Sequence, residues 1–306
     1  MLNKKIFLTG GTGFFGKSIL DMLLKGFLPQ TEFLILSRDP EKFLNTFPEY
    51  KKLERVKFIA GDIIDFSFPQ EKFDYIFHAA TPAVTDLPEG AMRNIIINGT
   101  KRVLEFARYC GAKKLLFVSS GAVYGPQGDC HNVPEDFPCR PVTEYGIAKL
   151  EAEKLCIDSV TPCCIARCFA FTGPRLARNI HFAIGNFIEN ALNREDIIIK
   201  GDGTPFRSYL YADDLVEWLF TILEKGKENR PYNVGSPHGL SIADLANEVS
   251  RCFGNTSKVK ISTPPIPGQP VSRYVPDISR AEQELDLHIK TPLTEAIIKS
   301  AEVMGV

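Results

Sequence analysis

No apolar run in this 306-residue sequence approaches the about 20 residues that a bilayer-crossing helix needs. Neither sign of charge dominates, since 36 Lys and Arg stand against 37 Asp and Glu. So even a balance recruits neither nucleic acid nor a membrane surface, although local basic groups can still meet a phosphorylated small molecule. The eight cysteines, at positions 110, 130, 139, 156, 163, 164, 168 and 252, show no CxxC spacing and no clustered His partner. No metal site is therefore expected, and buried thiols in a reducing compartment account for them. Repeats and low-complexity tracts are missing as well. With the chain running straight into an apolar strand, a soluble, cytoplasmic protein is expected. The length suits one large α/β domain or two unequal ones.

What is present is organised around Lys4 to Gly16, KKIFLTGGTGFFG. Ile6-Phe7-Leu8 reads as a strand ending at Thr9, and Ile19, Leu20, Leu23 and Leu24 recur at helical spacing. Between them stand Gly10, Gly13 and Gly16, spaced GxxGxxG rather than GxGxxG. A tight glycine turn there lets the backbone approach a pyrophosphate, and the helix N-terminus supplies free N–H groups and positive dipole. The plain alternative is a glycine-rich turn that binds nothing.

Further strands are predicted at 32–36, 56–59, 75–77, 114–118 and 164–167, with helices near 91–109 and from 145. Strands alternating with helices imply a doubly wound parallel sheet with ligands at the strand C-termini. The second strand runs into Ser37-Arg38-Asp39. Arginine at this place accommodates a 2′-phosphate whereas an acid holds a ribose 2′-OH, which favours NADP over NAD with Asp39 as competitor. Tyr145 and Lys149 lie four residues apart on one helix face. Beside a nicotinamide, an ammonium there would lower the phenol pKa, and Ser120 could share the substrate oxygen in a proton relay. Farther on, Arg207 and Arg273 sit at loop positions that suit a diphosphate or, equally, surface ion pairs.

The combination resembles the extended short-chain dehydrogenase/reductase family, in its nucleotide-sugar branch. TGGTGFFG, GDI, HAA, NGT, SSGAVYG, YGIAK, GDGTPFRSYLYADDL and PDISRA carry the likeness, in family order across nearly the whole chain. The resemblance implies an NAD(P)-binding Rossmann domain over 1–170, with 210–235 returning to it, and a mainly nucleotide-sugar-binding domain over 171–306. It implies that Gly10, Gly13 and Gly16 hold the pyrophosphate and that Thr12, Phe14 and Phe15 also bind the cofactor, with Ser37 and Arg38 at the adenosine ribose. Asp62 and Ile63 would meet the adenine, while Ala79 and Ala80 line the cofactor. Ser120, Tyr145 and Lys149 would be catalytic, Tyr145 and Lys149 also touching the cofactor. Thr81, Tyr124, Asn186, Arg207 and Arg273 would bind the nucleotide sugar, and Asn98 would be structural. A homodimer through a four-helix interface, built from helices near 91–109 and 145–159, is expected by resemblance only.

The departures narrow the chemistry. Sugar 4,6-dehydratases of the family carry an Asp-Glu pair directly after the catalytic Ser/Thr, and decarboxylases keep the glutamate. This chain has Gly121-Ala122 there, and it also lacks the cysteine used by GDP-fucose synthases. Elimination needs an acid and a base beyond the tyrosine. The family's Asn before the Gly-Pro turn is Ala170, which leaves Asn186 as a possible substitute contact. His181 reads either as an extra acid near the sugar or as an ordinary surface or core histidine. Two enzyme readings remain: NADPH-dependent reduction of a nucleotide-linked 4-keto-6-deoxyhexose, ranked first on Arg38, and a 4-epimerase with retained NAD, favoured by SSGAVYG. A dehydratase and a non-catalytic dinucleotide sensor rank below both.

Overall fold

A computed structural model describes residues 4–82, 87–178 and 182–302. The chain runs β1 (Lys5–Thr9), α1 (Phe14–Leu24), β2 (Glu32–Ser37), α2 (Pro40–Thr46), β3 (Val56–Ala60) and β4 (Tyr75–His78). It continues through α3 (Ala91–Cys110), β5 (Lys114–Ser120), α4 (Glu144–Ile157) and β6 (Cys163–Cys168). Next come β7 (Phe171–Thr172), α5 (Ala183–Leu192), β8 (Ile197–Ile199), β9 (Phe206–Arg207), β10 (Leu210–Tyr211), α6 (Ala212–Lys225) and β11 (Pro231–Val234). The last are β12 (Leu240–Ser241), α7 (Ile242–Cys252), β13 (Val259–Ile261), β14 (Arg273–Tyr274), α8 (Ser279–Leu285) and α9 (Leu293–Ala301). None of the described helices is long and apolar enough to cross a membrane.

Seven strands form one sheet in the order β11-β6-β5-β4-β1-β2-β3, and β1 through β6 pair in parallel. The order reverses between β1 and β4, and in an open α/β sheet ligands bind outside the strand C-termini at that point. The β1, β2, β4, β5 and β6 side chains are buried almost without interruption, as a sheet covered on both faces requires. On one face Phe7 packs against Phe66, Phe73 and Phe106, with ring centroids 4.6–5.6 Å apart. On the other, Phe220 of α6 meets Phe27, Phe33 and Phe77.

The chain divides into two compact units. The first comprises Met1–Gly125, Pro138–Cys168 and Val216–Tyr232; the second comprises Pro126–Phe137, Phe169–Leu215 and Asn233–Val306. Pro126–Phe137 thus groups with the second unit, whereas the sequence expectation keeps it within 1–170. The cause is local. Val133 exchanges backbone bonds with Val275 and Asp277, and the Glu135 carboxylate accepts from Asn233 N–H at 2.9 Å. The second unit has its own core, in which Ile184, Phe187 and Ile188 of α5 pack with Leu245 and Val249 of α7 and Ile297 of α9.

Candidate active site

The glycine turn is built by backbone crowding. Gly10 takes φ +78°, and a Cβ there would stand 2.6–2.8 Å from backbone atoms of Ala79 and Ala80. A Cβ on Gly16 would overlap the Gly11 backbone, and one on Gly11 would overlap Ile35. Gly11 is missing from the sequence-predicted set, although the doubled glycine in TGGTG is its signal. Gly13 is different, because a Cβ there would meet only Gly10 O, at an ordinary 3.5 Å. It is the N-cap of α1, no side chain caps the helix, and the first turn holds no acid. No acid in the first turn opposes the helix dipole, and the room at Gly13 suits the close approach of a pyrophosphate. Thr12 is exposed, and Phe14 and Phe15 lie edge to face at 5.8 Å beside the turn. The residues present fit a dinucleotide.

Strands β2 and β3 bring their C-termini to the same edge of the sheet. Ser37 is buried, and its hydroxyl accepts from Asp39 N–H at 3.3 Å. Asp39 caps α2 by accepting from Lys42 N–H at 2.9 Å, whereas exposed Arg38 makes no ion pair among the described residues. Asp62 accepts from Ile64 N–H at 3.1 Å, and Ile63 lies where Gly99 of α3 leaves room for it.

A buried polar chain that sequence reasoning missed lies beside this turn. Thr9 Oγ1 is 2.8 Å from His78 Nδ1, His78 Nε2 is 3.2 Å from Thr100 Oγ1, and Ala80 N–H donates to Thr9 Oγ1. The HAA and NGT motifs therefore tie the ends of β1 and β4 to α3, whereas Asn98 bonds along its own helix to Asn94. Burial, helped by the Lys149 charge, pushes His78 down to about 3. A neutral histidine with its folded pKa below the free value of 6.5 leaves the unfolded state to take up the proton first. Its contribution is complete above pH 6.5 and is lost as pH falls towards 3, at about 1.4 kcal/mol per pH unit. Denaturant unfolding between pH 4 and 7 should therefore show a slope that is one proton shallower in His78→Asn than in the wild type. Equal slopes would mean that His78 is charged in the folded protein.

Helix α4 brings the expected catalytic side chains to the end of β5. Thr143 caps it by accepting from Gly146 N–H at 3.1 Å. Lys149 is 2 % exposed and donates to Val118 O at 2.7 Å and to Thr81 Oγ1 at 2.8 Å. Thr81, expected to bind substrate, thus holds the lysine. Ser120 bonds to the Tyr145 phenol and accepts from Ala122 N–H at 3.2 Å. Lowering of the phenol pKa by Lys149 is not found: burial pushes Tyr145 up to about 12, against the Ser120 bond. The ammonium lies 5.8 Å from that ring's centroid, and burial pushes Lys149 down to about 8.

Tyr124, expected near the sugar, packs inward. It is fully buried, and its hydroxyl accepts from Arg167 Nη1 at 3.1 Å. The two arginines expected at the diphosphate, Arg207 and Arg273, lie on adjacent strands of the second unit. Strands β9 and β14 pair in parallel with Phe206 opposite Arg273 and Arg207 opposite Tyr274. Arg273 stacks on Phe206 at 4.3 Å and Arg207 lies 5.9 Å from the Tyr274 ring. Neighbouring residues of a strand point to opposite faces, so Arg207 and Arg273 leave opposite faces of this strand pair. Asn186 is half-buried in the first turn of α5, and His181 lies outside the described residues.

A model of the NAD dependent epimerase/dehydratase family matches residues 6–235. The chain belongs to this family. UDP-glucuronic acid decarboxylase 6 of Arabidopsis thaliana is 29% identical to it over 312 residues, 96% of this chain and 87% of the relative. Among solved structures, UDP-glucose 4-epimerase of Thermotoga maritima with UDP-glucose is 26% identical, with TM-score 0.82 and 98% of both chains covered. UDP-glucuronic acid 4-epimerase of Bacillus cereus, in complex with UDP-glucuronic acid and NAD, is 25% identical with TM-score 0.82, again over 98% of both chains. This epimerase/dehydratase family member is thus an extended short-chain dehydrogenase/reductase of the nucleotide-sugar type, as its motifs imply.

Proposed function

We propose that the protein is an NADPH-dependent reductase acting at C4 of a nucleotide-linked 4-keto-6-deoxyhexose. Arg38 carries this reading. Its exposed guanidinium stands at the end of β2 without an ion pair among the described residues, while the competing Asp39 is engaged as the cap of α2. That arrangement suits a 2′-phosphate better than a bare ribose. The bound nicotinamide would supply hydride to C4. Tyr145 gives its proton to the ketone oxygen, so ketone, hydride and proton balance to the alcohol. Ser120, bonded to that phenol, shares the oxygen, and Lys149 provides positive charge nearby.

The surroundings of Ser120 argue against dehydration and decarboxylation. Gly121–Tyr124 is a single 3-10 turn capped by Ser120, and it contains no carboxylate. Glu153, the buried acid next to Ser119, is taken up by Arg167. The second reading, a 4-epimerase with retained NAD, needs the same Ser–Tyr–Lys set and draws support from the two solved 4-epimerases.

Cofactor released by denaturing freshly purified protein, with NADPH and NADH titrated into emptied protein, tests the choice. On the reductase reading the site prefers NADPH, and Arg38→Ala weakens NADPH by about 10- to 100-fold while leaving NADH unchanged, as loss of a charge-assisted bond predicts. Stoichiometric, tightly held NAD would replace the reductase by the epimerase. NADPH consumption with a panel of nucleotide 4-keto-6-deoxysugars completes the test.

A further inference from the structure

The inward stripe of α4 carries three functional groups at four-residue steps: Tyr145, Lys149 and Glu153. Around them its buried residues are Gly146, Ala148, Ala152 and Cys156. Such small side chains offer few knobs to stop the helix sliding along the sheet. The third charged position supplies what the packing lacks.

Glu153 is 1 % exposed and faces Ser119 and Arg167, which lie opposite each other in register on β5 and β6. Arg167 Nη2 donates to Glu153 Oε2 at 2.8 Å, Arg167 Nε donates to Oε1 at 3.1 Å, and the Ser119 hydroxyl donates to Oε1. The remaining Arg167 nitrogen, Nη1, donates to the Tyr124 hydroxyl, and the guanidinium lies 4.9 Å from that ring's centroid. The buried Glu153–Arg167 pair therefore joins the helix bearing Tyr145 and Lys149 to Ser119 and Tyr124, on the two sides of Ser120. A buried ion pair adds little stability over an apolar pair of the same volume, and its best-attested use is to fix register.

We propose that Arg167 and Glu153 are positioning residues that hold α4 in register with β5, so that Tyr145 and Lys149 meet Ser120. The inference rests on the reading that these three side chains carry the reaction. Glu153 also acts on Lys149 electrically. The groups facing the ammonium are Tyr145, Glu153 and Cys156 on α4, His78 at the end of β4 and Cys168 on β6, with Thr81 and the Val118 carbonyl as its bonds. Burial opposes its charged form, and Glu153 favours it.

Three variants test this in the full chain: Glu153→Gln, Arg167→Met and the two combined. Each single change strands a buried partner and lowers the melting temperature, and the double variant recovers it. In the double variant kcat should still be about tenfold down, with KM changed less than threefold, as expected when reacting groups are misplaced. Recovery of kcat together with the melting temperature would overturn the proposal, because the pair would then be packing only. A second readout needs no substrate. In 15N-lysine NMR, the Lys149 midpoint should fall below about 8 in Glu153→Gln, because a nearby negative charge is removed. An unchanged midpoint would overturn the proposal even if no nucleotide sugar were turned over. A wild type that is inactive on every sugar, combined with the expected Lys149 shift, would fault the functional reading alone.

Discussion

Tyr145→Phe lowers kcat by about 1,000-fold, inside the range for a lost general acid. The substitution removes one oxygen and leaves the ring, which packs against the edge of the first unit's core. Melting temperature should consequently stay within a few degrees of wild type. With a pKa near 12, the phenol keeps its proton across the neutral range and can act as an acid towards a developing alkoxide. Ser120→Ala should cost less, about 10- to 100-fold, since Ser120 shares the oxygen but does not supply the proton. Steady-state kinetics with the best nucleotide 4-keto sugar would decide this. Turnover in Tyr145→Phe within tenfold of wild type would remove Tyr145 from the proton path and, with it, the reaction proposed here.

The first unit was readable because its signals are periodic and local. Every strand of the Rossmann sheet is a run of four to seven residues, and the predicted β1, β3 and β4 fall within one residue of the observed strands. The glycine turn and the Tyr145–Lys149 spacing were legible for the same reason: both lie within a few residues of one sequence. The short strands of the second unit were not. Its strands β9, β10, β12 and β14 have two residues each, too short to show alternation, and they exist through pairings across long separations such as Arg207 with Tyr274. Tyr124 shows a further limit. Its motif sits beside Ser120, but its side chain is drawn inward by Arg167, 43 residues later, and no spacing rule reports that. Likewise the pKa of Tyr145 follows how much protein surrounds the phenol, which a four-residue interval to Lys149 does not encode.

Gly13→Ala and Gly16→Ala separate what the glycine turn does for the fold from what it does for a ligand. At Gly16 the added carbon overlaps the backbone of Gly11, and a helix backbone in its first turn cannot step aside without breaking the β1–α1 connection. Overpacking of this kind costs about 3 kcal/mol or more, enough to lower the melting temperature sharply or prevent folding. At Gly13 the carbon meets only a carbonyl oxygen at 3.5 Å, and the φ of −83° is open to any residue. The stability cost there is that of a poorer N-cap, about 1 kcal/mol. Yet the methyl would stand at the α1 N-terminus, where a pyrophosphate would approach, so dinucleotide affinity should fall by about 100-fold or more, about 3 kcal/mol of binding. Thermal melts and dinucleotide titration on the same samples read both quantities. Normal affinity in a folded Gly13→Ala would show that the pyrophosphate lies elsewhere. A normal melt for Gly16→Ala would show that the turn relaxes, and the close packing of Gly11 on Gly16 would then not be what demands glycine at position 16.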